Sequence, residues 1–293
     1  MSVLKSFITI LSHPQNEKRR LHALSVIVWW KINQLFFHIP AVIEIAPNVK
    51  IICYPNNSYG SFIVYAKWPE FAELQFIYTY LQSTDTFIDV GAHIGDSSLL
   101  AATKIRTGKI LACEPTPLIF DELLSNIRLN NFESRIIPIR KANTNKVGHA
   151  SFTLEPSSEV NHLQTSKGEG KSIKVSTITI DALAKEYNFT DISLLKVDVE
   201  GFELEVLEGC KKMFAQKKLQ MILFEVNPSV TNIEEKVEKI SKLLKHHDFS
   251  FFGFTGKAHV EKIDTLIVPS VTSNFLAVSQ KESNSRRFKK WLK

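Results

Sequence analysis

Phe87-Ile88-Asp89-Val90-Gly91-Ala92-His93-Ile94-Gly95-Asp96 decides the fold. An apolar run of strand length ends in an acid, turns at two glycines four residues apart and opens a helical pattern. Such a turn lets a ligand approach the backbone and meet the free amides of a helix start. A dinucleotide fingerprint requires the tighter G-x-G-x-x-G. Only Gly91 and Gly95 stand here, with Asp89 just before the first, which sets a nicotinamide dehydrogenase aside. A carboxylate at that position suits a cationic amino acid moiety better than a pyrophosphate.

Downstream, strand and helix patterns alternate. Strands are predicted over 86–90, 109–113, 135–140, 194–199 and 220–226, with helices over 96–105, 117–130, 181–187, 203–214 and 233–246. Units of this size argue for an α/β fold, a parallel sheet covered by helices on both faces. Thr116 before Pro117 reads as a helix start, the hydroxyl capping free amides. A polar loop over 155–171 interrupts the alternation, and loops of that length usually serve function. Upstream, 15–37 carries Leu21, Leu24, Val28, Ile32 and Leu35 at helical spacing, a stripe expected to pack onto the main domain. Short strands are expected over 49–65, around Pro55-Asn56-Asn57 and Gly60. The chain therefore divides into a cap (1–80), a catalytic domain (81–280) and a basic tail (281–293).

The net charge of +6 is nearly all in that tail, KESNSRRFKKWLK. A neutral body argues against nucleic acid as a partner. Cys53, Cys113 and Cys210 are far apart and read as apolar packing residues in a reducing compartment. The N-terminal apolar run lacks a cleavage signature, and Lys31 with two histidines interrupts 21–40, so a cytoplasmic protein without a spanning helix is expected. Arg19-Arg20 and the Phe288, Trp291 and Leu292 of the tail suggest weak peripheral contact with the inner membrane surface.

Chemistry is expected at the strand ends. Glu114 follows the second strand of the alternating region, where an acid can accept hydrogen bonds from ribose hydroxyls. Strand alternation places Lys196, Asp198 and Glu200 on one face, where buried charges must neutralise one another or meet a ligand. Glu225 ends the apolar run 221–226 in the same region of the sheet.

These residues resemble the FkbM family of methyltransferases. The likeness rests on DVGAHIGD, on EPTP before a helix with Leu123 and Asn126, on Thr179-Ile180-Asp181, on LLKVDVEGFE and on FEVN, and it spans about 14–279. DVGA alone is weakly specific; DVEGFE joined to it at this spacing is strong. The resemblance implies a Rossmann-like class I sheet, S-adenosylmethionine as cofactor, and O-methylation of a saccharide, glycolipid or secondary metabolite. Asp89, Gly91 and Gly95 would hold the methionine part within a turn that includes Ala92 and Asp96. Glu114 would hold the ribose and Asn143 the adenine. His93 departs from the commoner DVGAN turn.

Methyl transfer needs an aligned nucleophile and a group to take its proton. Candidates for that base are His162 in the long loop, Asp198, Glu200 and Glu225. No spacing supports a metal site. The alternative is a non-catalytic module that keeps the scaffold to bind the cofactor, a glycan or a partner protein, but the cofactor residues are intact.

Overall fold

The computed structural model describes residues 9–153, 172–255 and 259–293. A hairpin of β1 (Ala41–Ala46) and β2 (Val49–Cys53) precedes the main sheet. There follow β3 (Thr86–Val90), β4 (Lys109–Cys113), β5 (Ile136–Ile139), β6 (Ala142–Asn143), β7 (Gly148–Thr153) and β8 (Ser172–Ile178). The remaining strands are β9 (Leu194–Val197), β10 (Met221–Val226), β11 (Phe249–Thr255), β12 (His259–Ile263) and β13 (Ser273–Ser279). Eight of them form one sheet in the order β12-β11-β13-β10-β9-β3-β4-β5, and β6, β8 and β7 form a small second one.

Strands β3, β4, β9 and β10 are mostly apolar and almost wholly buried, as parallel strands covered on both sides must be. β5, β4, β3, β9 and β10 run parallel, while β13 is antiparallel to both β10 and β11. From β3 the chain builds outward through β4 and β5 on one side, then returns to β9 and β10 on the other. The strand order thus reverses between β3 and β9, and open α/β sheets bind their ligands outside the carboxyl ends at such a point.

The predicted strands and the helices Asp96–Lys104, Pro117–Leu129, Ile180–Glu186 and Ile233–His246 form close to their expected bounds. All three cysteines are free and buried. Three expectations fail. Residues 58–66 are a helix, Ser58–Ala66, because Asn57 Oδ1 accepts from Gly60 N at 2.9 Å and caps its start. The single helix over 203–214 is two, Glu203–Glu208 and Lys211–Ala215, parted at Gly209, where a Cβ would stand 2.6 Å from the Thr144 carbonyl oxygen. Asp181 takes up the second start, accepting from the amides of Lys212 and Met213 at 2.8 and 3.1 Å. At the Pro117 helix, Thr116 occupies the cap position but makes no side-chain capping bond.

The ends of the chain reverse their expected roles. In helix Arg20–Ile32 the buried residues are Ala23, Ile27 and Trp30, whereas Leu21, Val28 and Ile32 of the expected packing stripe are exposed. The tail, conversely, is docked. Phe288 is wholly buried against Tyr80 and Phe252, Trp291 meets Phe76, and Arg287 binds Asp85 through two bonds of 3.1 and 2.6 Å. Its aromatic rings complete the core, so they are not free to enter a membrane. Residues before β3 share one core with the main sheet, Trp30, Ile63, Leu74 and Phe76 packing in the same cluster as Phe87, Leu99 and Leu123. No helix among the described residues is long and apolar enough to cross a membrane.

Candidate active site

At the β3/β9 reversal the strand ends open into a cavity of about 580 Å³. Its wall includes Gly91, Ala92, Asp96, Glu114, Asn143, Asp198, Glu200 and Glu225, eight of the residues singled out from sequence. Gly91 is required by close approach: its φ is +80°, and a Cβ there would meet the Asp198 carbonyl oxygen at 1.8 Å. The β3 turn is therefore locked against the end of β9.

Two of the expected cofactor residues do not line the cavity. Asp89 is wholly buried beneath the turn, where Ser98 Oγ donates to its Oδ2 at 2.7 Å and its Oδ1 has no partner among the described residues. Burial pushes the Asp89 carboxyl up to about 6, against the opposing pull of Lys196 and Ser98. Gly95 (φ +98°) starts the Asp96–Lys104 helix and packs on Leu123, which a Cβ would meet at 2.5 Å. Both shape the turn from below. His162 lies outside the described residues.

On the β4 and β5 side, Glu114 accepts from Thr116 N at 2.8 Å and from His93 N at 3.2 Å, so its carboxylate is fixed by the backbone. Burial raises it to about 7 even so. Asn143, at the end of β6, is buried, and neither its Oδ1 nor its Nδ2 has a partner among the described residues. His93 lines the cavity in a left-handed turn (φ +49°), its ring edge-on to Tyr59 at 4.9 Å. Burial lowers its imidazole to about 4, so it is neutral at physiological pH.

On the β9 and β10 side, Lys196 Nζ donates to Asp198 Oδ2 at 2.7 Å, which is the strand-face pairing the alternation implied. Burial opposes the Lys196 charge, but Asp198, Glu70 and Asp89 together hold it well above the ordinary lysine range. Glu225 Oε1 and Glu70 Oε2 are buried and have no partner among the described residues. Burial, reinforced by Asp198 and Glu200, pushes Glu225 up to about 9. Burial also carries Glu70 up to about 8, with Lys196 pulling the other way and Asp198 adding to the rise. Both are neutral acids near pH 7. Asn227 donates to Glu200 at 3.3 Å, and Glu203 braces the turn between them by accepting from the amides of Val199 and Gly201 at 3.3 and 3.0 Å.

The residues that sequence reading missed come mostly from the cap. Tyr59, Phe62 and Glu70 line the cavity, and Tyr59 donates to Asp96 Oδ2 at 2.8 Å. Only adjacency in the fold reveals them.

Five parallel strands extended at one edge by β13, β11 and β12 in antiparallel pairings, and an acid-lined cavity at the reversal point, define a Rossmann-like, S-adenosylmethionine-dependent methyltransferase. More particularly, the chain belongs to the FkbM methyltransferase family, whose Methyltransferase FkbM domain matches residues 89–251. It is 30% identical over 177 residues to the hexuronic acid methyltransferase AglP of Haloferax volcanii, across 57% of this chain and 70% of that protein. It is 31% identical over 159 residues to the methyltransferase sdnD of Sordaria araneosa, across 44% of this chain and 61% of that protein. A SAM-dependent O-methyltransferase of Thermotoga maritima overlays 71% of this chain and 64% of its own at 13% identity and a TM-score of 0.40. The class rests on the sheet order and the family match, not on that overlay.

Proposed function

We propose that the chain transfers a methyl group from S-adenosylmethionine to a hydroxyl of a saccharide, glycolipid or secondary metabolite. The observation that carries this reading is the division of the cavity. Glu114 and the unpartnered Asn143 amide stand at the β4 and β6 ends, and Asp198 with the neutral acids Glu70 and Glu225 gathers on the β9 and β10 side.

The residues of the first side fit the cofactor. Asn143 offers one donor and one acceptor, the pair that the edge of an adenine can satisfy. The Glu114 carboxylate, already oriented by two amides, can accept from ribose hydroxyls. The methionine part then meets the β3 turn at Gly91 and Ala92, with the buried acids Asp89 and Asp96 supplying negative potential behind it. When bound, S-adenosylmethionine supplies an activated methyl on a sulfonium centre.

The second side fits a hydroxylated acceptor. A neutral carboxyl both donates and accepts, so Glu70 and Glu225 can hold hydroxyls in either sense. The two lysines that line the cavity among the described residues face acids, Lys196 at 2.7 Å from Asp198 and Lys141 at 3.8 Å from Glu186. That balance favours a neutral hydroxyl over a carboxylate at the reacting position. The Haloferax relative is named for a hexuronic acid, which carries hydroxyls as well as a carboxylate and so agrees with a sugar acceptor.

Asp198 is the base in this reading. Lys196 holds its Oδ2, which leaves Oδ1 to take the acceptor proton, whereas Glu225 already carries a proton near neutral pH. Transfer of label from methyl-tritiated S-adenosylmethionine into fractionated polysaccharides and lipids tests the proposal. A labelled product that survives mild base and releases an O-methyl sugar or O-methyl metabolite on acid hydrolysis is expected. Label released by mild base, as from a methyl ester, or no transfer into any fraction, would refute it.

A further inference from the structure

Helix Arg20–Ile32 is apolar nearly all round, and a helix of that kind needs cover on both faces. One face has it. Ala23, Ile27 and Trp30 are buried, and Trp30 Nε1 donates to Ser61 Oγ at 2.9 Å on helix Ser58–Ala66. The opposite face does not: Leu21 is 84% exposed, and Val28, Trp29 and Ile32 continue the stripe outward. The following turn, Asn33–Phe37, extends it with Leu35, Phe36 (73% exposed) and Phe37, and then Ile39.

That turn is held in place. Asn33 clasps Ile39 from both sides, its Nδ2 donating to the Ile39 carbonyl at 2.7 Å and its Oδ1 accepting from Ile39 N at 3.2 Å, while His38 sits in the left-handed region. The apolar side chains are therefore presented to solvent by a fixed backbone. An exposed apolar surface this continuous marks an interaction site.

Charge decides what covers it. Between Lys18 and Ile43 there are four Lys/Arg and no Asp or Glu, and Lys18, Arg19, Arg20 and Lys31 are all exposed. A two-fold contact with a second copy would set these cations against their own equivalents. An anionic lipid surface instead attracts them while the headgroup region takes up Trp29, Phe36 and Phe37. With 13 residues, the helix is about 20 Å long and can lie in that plane.

We infer that this helix and turn form a peripheral membrane-binding face for anionic lipid. The face lies one helix away from the cavity, since helix Ser58–Ala66 beneath it supplies Tyr59 and Phe62 to the cavity wall. An enzyme docked there works on acceptors concentrated at the same surface.

Co-sedimentation of the full chain with phosphatidylcholine vesicles, with and without phosphatidylglycerol, tests the inference at low salt. Binding to the anionic vesicles should exceed binding to the neutral ones by about tenfold or more. The double variant Trp29→Ser/Phe36→Ser should lose that binding, and Arg19→Glu/Arg20→Glu should lose the preference for anionic lipid. Both should keep wild-type circular dichroism and S-adenosylmethionine affinity, because all four side chains are exposed. Absence of vesicle binding, or binding by both variants as in wild type, overturns the inference. A dimer in light scattering that Trp29→Ser/Phe36→Ser dissolves, without vesicle binding, overturns it too and assigns the face to a second copy.

Discussion

On the β4 and β5 side of the cavity, Glu114 is fixed by two backbone amides; on the β9 and β10 side, Glu225 and Glu70 each keep a buried oxygen without a partner among the described residues. The Glu114 carboxylate is oriented before any ligand arrives. It suits a group that is the same in every turnover, because orientation is already set by the fold. The Glu225 and Glu70 pair is unfinished, held neutral by burial, and an acceptor completes it. The contrast teaches where each kind of variant acts: changes on the first side weaken cofactor affinity, and changes on the second weaken transfer.

The largest effect belongs to Asp198→Asn. The amide keeps a hydrogen bond to Lys196 but cannot take a proton, so turnover should fall about 10²–10⁴-fold while S-adenosylmethionine affinity stays near wild type. Turnover within a few-fold of normal would move the base elsewhere, to Glu200 or to His162. Glu114→Ala should act in the opposite sense. It removes charge-assisted hydrogen bonds of about 1.5–3 kcal/mol, which calorimetry would read as a ten- to hundredfold loss of cofactor affinity. Unchanged affinity would break the comparison at its better-defined end.

A pH series probes the buried acids without a ligand. Glu225 and Glu70 ionise in the ordinary carboxylate range when unfolded but hold their protons to about 9 and about 8 when folded. Between those limits the folded chain binds more protons than the unfolded one, so stability must decline as pH rises. The Tm of the ligand-free protein should therefore fall from pH 5 to 9, and Glu225→Gln should flatten the decline. A Tm that rises over that interval would contradict the neutral state of these acids. The smallest effect is expected from Asn143→Ala, which should cost about 0.5–1.5 kcal/mol of cofactor affinity and leave turnover at saturating cofactor unaltered.

Much of this was legible in the amino-acid order. Apolar runs bounded by glycine and acids locate the parallel strands, and the strand ends bring Glu114, Asp198 and Glu225 to one cavity. What the sequence conceals is what depends on distance between elements. Asp89 heads the most recognisable motif, yet the turn folds over it and Ser98 takes its carboxylate. Glu70 and Tyr59 reach the cavity from the cap, and no spacing along the chain announces that. Helix Arg20–Ile32 and the tail carry the same mixture of basic and aromatic residues. Burial separates them, since Phe288 and Arg287 find Tyr80, Phe252 and Asp85 waiting, while Trp29 and Phe36 find solvent. Periodicity could not choose the outward face of a helix that is apolar on both.

The measurement that bears most directly on a divided cavity is a paired one, S-adenosylmethionine affinity and single-turnover methyl transfer at saturating cofactor, for Glu114→Ala and Asp198→Asn side by side. Crossed losses are expected: Glu114→Ala binds weakly but transfers at a near-normal rate once saturated, and Asp198→Asn binds normally but transfers slowly. Parallel losses, each variant impaired in both properties to the same degree, would contradict a divided cavity.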